Sequence, residues 1–202
     1  MRHDNSVRAV VFAYSSFGYG CLEELLDKGV DVAAVFTHED DPYKGWFRSV
    51  RELAASRHLA VYTPTKLGEA ELALIRSLSP DLIFSCWYRL LIPEDILRLA
   101  PLGAFNMHAA LLPRYRGHAC VNWAIIRGEK EVGVTLHHMV ARVDAGRIVD
   151  REPVPVDPDE TAAEVYARII PAARKVLARA LPDILAGRAE GTEQDEALAT
   201  YV

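Results

Sequence analysis

The sequence predicts an α/β fold with a Rossmann-like, open and mostly parallel sheet that carries helices on both faces. Short, nearly continuous apolar runs, typical of strands buried on both faces, recur along the first half of the chain. Between these runs, leucines and isoleucines fall at the three- and four-residue spacing of amphipathic helices. The repeated alternation of the two patterns is typical of β-α-β units, which pair their strands in parallel.

The first half of the chain supplies five of the expected strands. They are the apolar runs 9–14, 32–37, 61–62, 82–85 and 104–108. The helices expected between them have faces formed by Leu22, Leu25 and Leu26, by Val50, Leu53 and Ala54, and by Leu72, Ile75 and Leu78. Gly29 and the Ser79-Pro80 pair mark helix ends. Pro93 stands at the first position of a short further helix, 93–99.

The pattern changes after residue 110. Its expected elements are a loop at 111–117, a helix at 122–127, a turn at 144–146, and strands at 132–139 and 147–156. The segment Asp157–Glu160 is expected to begin a long final helix that Pro171 kinks. We expect one domain over residues 1–187, followed by a polar tail or linker, 188–202, that leaves it.

Composition narrows the class of protein further. Half of the residues are hydrophobic (50%), a quarter are charged (25%), and the net charge is −5. An acidic chain lacks the basic surface that a nucleic acid backbone requires, so a nucleic acid partner is disfavoured. The three widely spaced cysteines, Cys21, Cys86 and Cys120, are typical of reduced thiols in a cytoplasmic protein. No apolar run is long enough to span a membrane, and the oligomeric state is left open.

Polar residues near the end of the fifth predicted strand are the best candidates for chemistry. Asn106 and His108 are two positions apart, so both can project from one side of a strand end, where open α/β sheets bind ligands. Histidine can transfer a proton near neutral pH, and an asparagine amide can donate to a developing oxyanion. Asp144 in the predicted turn is a candidate to orient the histidine and raise its pKa. Taken singly, each is more typical of a strand cap, a core histidine or a turn.

Two longer segments carry a family resemblance. Residues 105–117, FNMHAALLPRYRG, resemble the signature of 10-formyltetrahydrofolate-dependent formyltransferases, and 133–149, GVTLHHMVARVDAGRIV, resemble the family's segment with an aspartate turn. The resemblance extends over about 7–187. Within the family, segments such as 78–92, LSPDLIFSCWYRLLI, resemble the formyltransferase domain of the bifunctional polymyxin-resistance enzyme. That domain acts on UDP-4-amino-4-deoxy-L-arabinose, which implies an amino-sugar nucleotide as amine substrate and a role in lipopolysaccharide modification.

The resemblance implies a role for each matching residue. Asn106 would stabilise the oxyanion, His108 would act as general acid and base, and Asp144 would hold the tautomer of His108; no metal is needed. The implied folate contacts are Leu90, Leu91, Ile92, Val140, Ala141, Arg142 and Val143. The implied contacts to the amine substrate are Tyr115, Arg116 and His118. The sequence departs from the family at Ala110, usually serine, and from the polymyxin-resistance domain at His118 and Cys120, which are arginine and proline there.

Other interpretations remain open. Within folate chemistry, the acceptor could instead be methionyl-tRNA, glycinamide ribonucleotide or water, and a catalytically weak folate- or nucleotide-binding module is a further alternative. Gly18 and Gly20 hint at a dinucleotide-binding turn, but Glu23 at the third glycine position would place a carboxylate beside a pyrophosphate. His137 and His138 are strand neighbours on opposite faces and lack the spacing of metal ligands.

Overall fold

A computed structural model describes residues 6–40 and 47–202. Within these residues the strands are β1 (Arg8–Ala13), β2 (Asp31–Phe36), β3 (Val61–Tyr62), β4 (Leu82–Cys86), β5 (Ala104–His108), β6 (Glu131–His138) and β7 (Ile148–Pro155). The helices are α1 (Ser15–Asp27), α2 (Val50–Ser56), α3 (Glu69–Leu78), α4 (Glu94–Leu97), α5 (Cys120–Ile126) and α6 (Ala162–Leu185). The strands form one sheet in the order β3-β2-β1-β4-β5-β6-β7. The predicted α/β class is confirmed.

The first of two compact units, Met1–Ala104, contains the parallel part of the sheet. β1 pairs in parallel with β2 and with β4, and β3 pairs in parallel with β2. Residues 9–13 of β1 are fully buried, as expected for an apolar run covered on both faces.

Gly18 and Gly20 lie inside α1, and not in a turn before it. A Cβ on Gly18 would meet the carbonyl oxygen of Cys86 at 2.8 Å, so this glycine permits close packing of α1 on the end of β4. Its position therefore has a packing explanation, and the dinucleotide-turn interpretation is not needed.

The second unit, Phe105–Val202, is built on antiparallel strands. β6 pairs antiparallel with β5 and with β7. α6 packs against β6 and β7 and buries the predicted face of Val165, Ile169, Val176, Leu177, Leu181 and Ile184. The helix continues through Pro171, and it begins at Ala162. The expected start at Asp157–Glu160 was therefore too early.

Residues 188–202, which we call the C-terminal strap, pack on the second unit. Thr192 forms an antiparallel bridge with Ile148, and Tyr201 forms a parallel bridge with Arg116. Gln194 is 91% shielded, with only 9% of its surface exposed. The sequence led us to expect a tail that leaves the domain, because the segment is polar. In the structure its polar groups instead bond to backbone and buried side chains of the unit.

No helix in the described part of the chain is long and apolar enough to cross a membrane.

Candidate active site

The pairing of β5 with β6 gathers polar side chains on one face of the sheet. Asn106 and His108 alternate onto the same face of β5. The antiparallel register places His137 opposite Asn106 and Thr135 opposite His108, and directly opposed residues share a face. Four polar side chains therefore converge at one end of the two strands.

Asp144 reaches this cluster from the turn between β6 and β7. Its Oδ1 accepts from Asn106 Nδ2 at 3.3 Å, and its Oδ2 accepts from the backbone N–H of Gly117 at 2.9 Å. The side chain is only 9% exposed. Its backbone has a φ of 51°, a left-handed conformation that aspartate tolerates better than most residues. A Cβ on Gly146 would lie 1.9 Å from the carbonyl oxygen of His138, so the turn requires glycine there.

His108 lies between Asp144 and the loop that follows β5. Its Nε2 is 2.8 Å from the carbonyl oxygen of Tyr115, to which it donates, and 3.4 Å from Cys120 Sγ. Its Nδ1 lies 3.6 Å from Asp144 Oδ2, close enough for charge attraction but longer than a hydrogen bond. Burial of the ring lowers the pKa of His108, but the Asp144 carboxylate and the contacts with Cys120 and Tyr115 outweigh it, so the net shift is upward.

The Asp144 carboxylate is held in its charged form. Burial acts to raise the pKa of Asp144, but attraction to His108, the interaction with His137 and the Gly117 N–H together hold it well below its usual range. An acid that stays ionised beside a histidine of raised pKa favours the doubly protonated imidazolium. A histidine in this environment has the chemistry of a proton donor.

His137 fixes the orientation of the Asn106 amide. Its Nδ1 donates to the carbonyl of His138 at 2.8 Å, and its Nε2 lies 3.5 Å from Asp144 Oδ1. Asn106 Nδ2 lies 3.1 Å from that Nε2 and 3.3 Å from Asp144 Oδ1. The Asn106 amide nitrogen therefore has two partners, the His137 ring and the Asp144 carboxylate. An oxyanion would therefore have to replace one of these two partners.

The residues implied for folate binding lie in two exposed loops. Leu90, Leu91 and Ile92 follow β4 in the first unit, and the side chain of Leu91 is 77% exposed. In the second unit, Val140, Ala141, Arg142 and Val143 form an exposed segment immediately before Asp144. Arg142 donates to Tyr201 Oη at 2.6 Å and pairs with Glu196 at 2.9 Å. Leu91, Val140, Ala141 and Val143 present apolar side chains to solvent, whereas Leu90 and Ile92 are half-buried.

Of the three residues implied for the amine substrate, the structure leaves only His118 exposed. Tyr115 is buried and donates its hydroxyl to Glu129 at 2.7 Å. Arg116 is completely buried, and its guanidinium is bonded to the C-terminal strap. The expectation that the side chains of Tyr115 and Arg116 face a substrate therefore does not fit this arrangement. The backbone carbonyl of Tyr115 instead accepts a hydrogen bond from His108.

Three contributors escaped the sequence analysis. His137 was interpreted as a structural histidine, and only the register of an antiparallel β5–β6 pair could have placed it beside Asn106. Thr135 donates to the carbonyl of Ala110 at 2.7 Å and accepts from Leu112 N–H at 3.1 Å, which gives the loop after β5 a hydroxyl where Ala110 has none. Gln194 had no sequence signal at all.

No group of three or more potential metal ligands occurs among the residues that the structure describes.

The fold is of the α/β class, and the cluster at the ends of β5 and β6 is its candidate active site. The chain belongs to the formyl transferase family, whose sequence model matches residues 7–181. It is therefore an enzyme of the formyltransferase class.

Solved structures share the fold. A sugar 3N-formyl transferase, WlaRD, determined with dTDP and 5-N-formyl-THF, matches with a TM-score of 0.79 and 18% identity over 98% of this chain and 70% of that one. The Helicobacter canadensis N-formyltransferase, in complex with folinic acid and dTDP-3-aminofucose, has a TM-score of 0.80, 22% identity, and coverage of 97% and 70%. Glycinamide ribonucleotide transformylase 1 from Symbiobacterium toebii has a TM-score of 0.77, 23% identity, and coverage of 95% of both chains.

Proposed function

We propose that this enzyme transfers the formyl group of 10-formyltetrahydrofolate to a primary amine of a nucleotide-linked amino sugar. The observation that carries the proposal is the convergence of Asn106, His108 and Asp144 at one strand end, with distances of 3.3 Å and 3.6 Å from the carboxylate to the other two. Family membership supports formyl transfer. Two structures of this fold contain a formylated folate together with a dTDP group, which supports the choice of co-substrate and acceptor class.

The residues supply charge stabilisation and a proton path. When the amine attacks the formyl carbon, Asn106 exchanges one of its present partners and donates an N–H to the developing oxyanion, a contribution of typically ~3 kcal/mol. His108 exchanges the Tyr115 carbonyl for the substrate, in keeping with catalytic hydrogen bonds that form only in the complex. Asp144 orients the ring of His108 and stabilises its protonated form before the proton is given up and again after it is recovered.

The proton balance needs one acid and one base. A new carbon–nitrogen bond forms to the amine, and the bond between the formyl carbon and the folate nitrogen breaks. The amine loses a proton and the leaving nitrogen gains one, so His108 can give a proton to the folate nitrogen and recover one from the amine. No covalent enzyme intermediate is required. The exposed loops 90–92 and 140–143 remain the proposed folate contacts, and His118 the proposed acceptor contact.

Glycinamide ribonucleotide is a second candidate acceptor. A transformylase for this substrate covers 95% of this chain with 95% of its own length. Against it, Ser15–Gly20 lies within α1, so this chain does not offer the glycine-rich turn after β1 expected for a phosphate cradle. UDP-4-amino-4-deoxy-L-arabinose and dTDP-linked 3-amino sugars are therefore our first choices.

An acceptor panel tests the proposal. The purified protein is incubated with 10-formyltetrahydrofolate and, separately, with each amino-sugar nucleotide, with glycinamide ribonucleotide, or with no amine. We expect tetrahydrofolate release and a formylated product by mass spectrometry only with an amino-sugar nucleotide. Product from glycinamide ribonucleotide alone would reassign the acceptor, and folate release without amine would indicate hydrolysis. No tetrahydrofolate release under any condition would contradict the proposal.

Two variants test the assigned roles. His108→Ala and Asp144→Asn should lower kcat by about 10²-fold or more, the usual contribution of general acid–base catalysis, without loss of secondary structure by circular dichroism. Asp183→Asn is the matched control, because this carboxylate is 60% exposed, pairs with Arg188, and stands far along the chain from the site. If either active-site variant kept the wild-type rate, the assignment would be wrong.

A further inference from the structure

The C-terminal strap contacts the Asp144 turn through one side chain. Gln194 Nε2 donates to the carbonyl of Asp144 at 2.8 Å and to the carbonyl of Gly146 at 2.7 Å. Both of its N–H groups are thus used on two carbonyls that bracket the turn. Gln194 is nearly buried, with 9% of its surface exposed, so these bonds are shielded from competing water.

A buried arginine holds Gln194 in this orientation. Gln194 Oε1 accepts from Arg116 Nε at 3.2 Å and from Arg116 Nη2 at 2.7 Å. The other guanidinium hydrogens go to Glu196, at 3.1 and 2.7 Å, and to Tyr201 Oη at 2.8 Å. All five N–H donors of Arg116 therefore have an acceptor, and the amide of Gln194 cannot reverse without opposing donors to donors.

The turn needs such a contact, because Asp144 has an unfavourable backbone. Its φ of 51° lies in the left-handed region, which costs free energy for any residue with a side chain and persists where the surroundings hold it. The direction of the Asp144 carboxylate depends on this backbone. Bonds to the carbonyls of residues 144 and 146 fix the 144–145 and 146–147 peptide planes.

The same strap also holds the loop that faces His108. Arg116 N donates to the carbonyl of Thr200 at 2.8 Å, and Val202 N donates to the carbonyl of Arg116 at 2.9 Å. Gly117, with a φ of 107°, would bring a Cβ to 2.1 Å from the Val202 oxygen. The neighbouring backbone groups of 115 and 117 are the ones that bond His108 and Asp144.

We propose that Gln194, oriented by Arg116, is a positioning residue that sets the direction of the Asp144 carboxylate toward His108. The inference rests on the proposed roles of His108 and Asp144. Gln194 lies behind the turn and acts through Asp144 and not on a substrate. Its loss should therefore reduce turnover and weaken the electrostatic coupling in the His108–Asp144 pair, while substrate binding is kept.

Gln194→Met tests the proposal, since methionine is similar in length but cannot donate. We expect kcat to fall by roughly 10- to 100-fold, the range for a misplaced active-site group, with little change in the KM of the amine. We also expect the pKa of His108, followed by NMR of the imidazole in the protein without substrates, to move down toward its ordinary value. A role confined to stability would leave this titration unchanged.

Gln194→Glu is the second variant, in case the methionine variant does not fold. Its carboxylate still accepts from Arg116 but cannot donate to the carbonyls of 144 and 146, so kcat should fall while KM is kept. Glu193→Gln is the matched control, because this neighbouring strap residue is 77% exposed and pairs with Arg147. Wild-type kcat in both Gln194 variants would overturn the proposal. The NMR titration does not depend on turnover. An unchanged pKa of His108 in Gln194→Met would therefore contradict the positioning role alone. Absence of formyl transfer in the wild-type protein would contradict only the proposed function.

Discussion

At the scale of single residues, two opposing effects act on the pKa of His108. Burial disfavours the charged ring of His108, and the Asp144 carboxylate at 3.6 Å favours it more strongly, so the pKa of His108 is raised. His137, with a ring centroid 6.3 Å from that of His108, acts on Asn106 and Asp144. The two histidines thus have different partners: His108 lies beside the Asp144 carboxylate and the Tyr115 carbonyl, and His137 lies beside the Asn106 amide.

The raised pKa of His108 predicts how stability depends on pH. A group whose pKa is higher in the folded than in the unfolded state stabilises the fold fully below its unfolded pKa, about 6.5 for histidine. This contribution is lost as pH rises through the folded pKa. We therefore expect the free energy of unfolding, from urea titrations across neutral and alkaline pH, to decline more steeply in the wild type than in His108→Gln.

Other histidines give the opposite sign and serve as an internal reference. Burial lowers the pKa of His38 and of His138, so each contributes stability that is lost as pH falls. Both are present in the wild type and in His108→Gln, and the difference between the two curves isolates His108. Parallel curves above pH 6.5 would contradict the raised pKa.

The residues of the site were only partly predictable from the sequence. Asn106 and His108 follow from their i, i+2 spacing at a strand end, and Asp144 from its place in a turn together with the family resemblance. His137 was missed because adjacency to His138 shows only that one of the two faces each side. Arg116 was assigned to the amine substrate by the family resemblance, and no sequence pattern indicated its structural partners, which stand some 80 positions further along the chain.

At the scale of secondary-structure elements, local patterns identified the strands but not their pairing. The apolar runs predicted β1 to β5 closely, since burial on both faces leaves a clear signature. The antiparallel β5–β6 and β6–β7 pairs could not be derived this way, because pairing depends on contacts between distant segments. This pairing brings Asn106 and His137 together. Because the pairing could not be predicted, the contact between these two residues could not be predicted either.

The start of α6 shows how two similar signals compete. Residues 157–160 and 161–164 each have an acidic side chain that bonds back to the N–H three residues earlier, Glu160 to Asp157 and Glu164 to Thr161, both at 2.8 Å. The helix begins after the second segment, because only the Thr161 side chain also accepts a hydrogen bond from the N–H of Glu164, at 3.4 Å. The first signal forms a separate turn, which Arg168 ties to the helix through Glu160.

This capping box gives a prediction for stability. Thr161→Ala removes the side-chain acceptor at the N-cap and should lower the free energy of unfolding by about 1 kcal/mol, measured by urea denaturation. Thr161→Ser keeps the hydroxyl and should stay close to the wild type. Formyl transfer should be unchanged in both variants, because α6 contributes none of the side chains of the site. Equal stability of the alanine and serine variants would show that the cap does not contribute.

At the scale of the whole molecule, a polar segment near the C-terminal end of the sequence bonds to the backbone of the candidate site formed earlier in the chain. Composition predicted that residues 188–202 leave the domain, because few apolar side chains are available for burial. In the structure, the polar groups of this segment instead form hydrogen bonds through two backbone bridges and with one buried guanidinium. Polarity alone therefore does not distinguish a solvated tail from a strap that bonds to buried polar groups.

Arg116 should then control whether the strap stays attached. Arg116→Met removes the five hydrogen bonds that the guanidinium donates to Gln194, Glu196 and Tyr201 of the strap, and the loss of even one such bond from a charged donor costs on the order of 1.5–3 kcal/mol. We expect amide hydrogen exchange of Thr192 and Val202 to accelerate by about 10- to 100-fold, while amides of β6, deep in the sheet, keep their protection. Arg188→Met is the control, since Arg188 is 67% exposed and pairs only locally with Asp183. If exchange in the strap stayed at the wild-type rate in Arg116→Met, the backbone bridges at Ile148 and Arg116 would suffice, and the buried guanidinium would be needed for orientation of Gln194 and not for attachment.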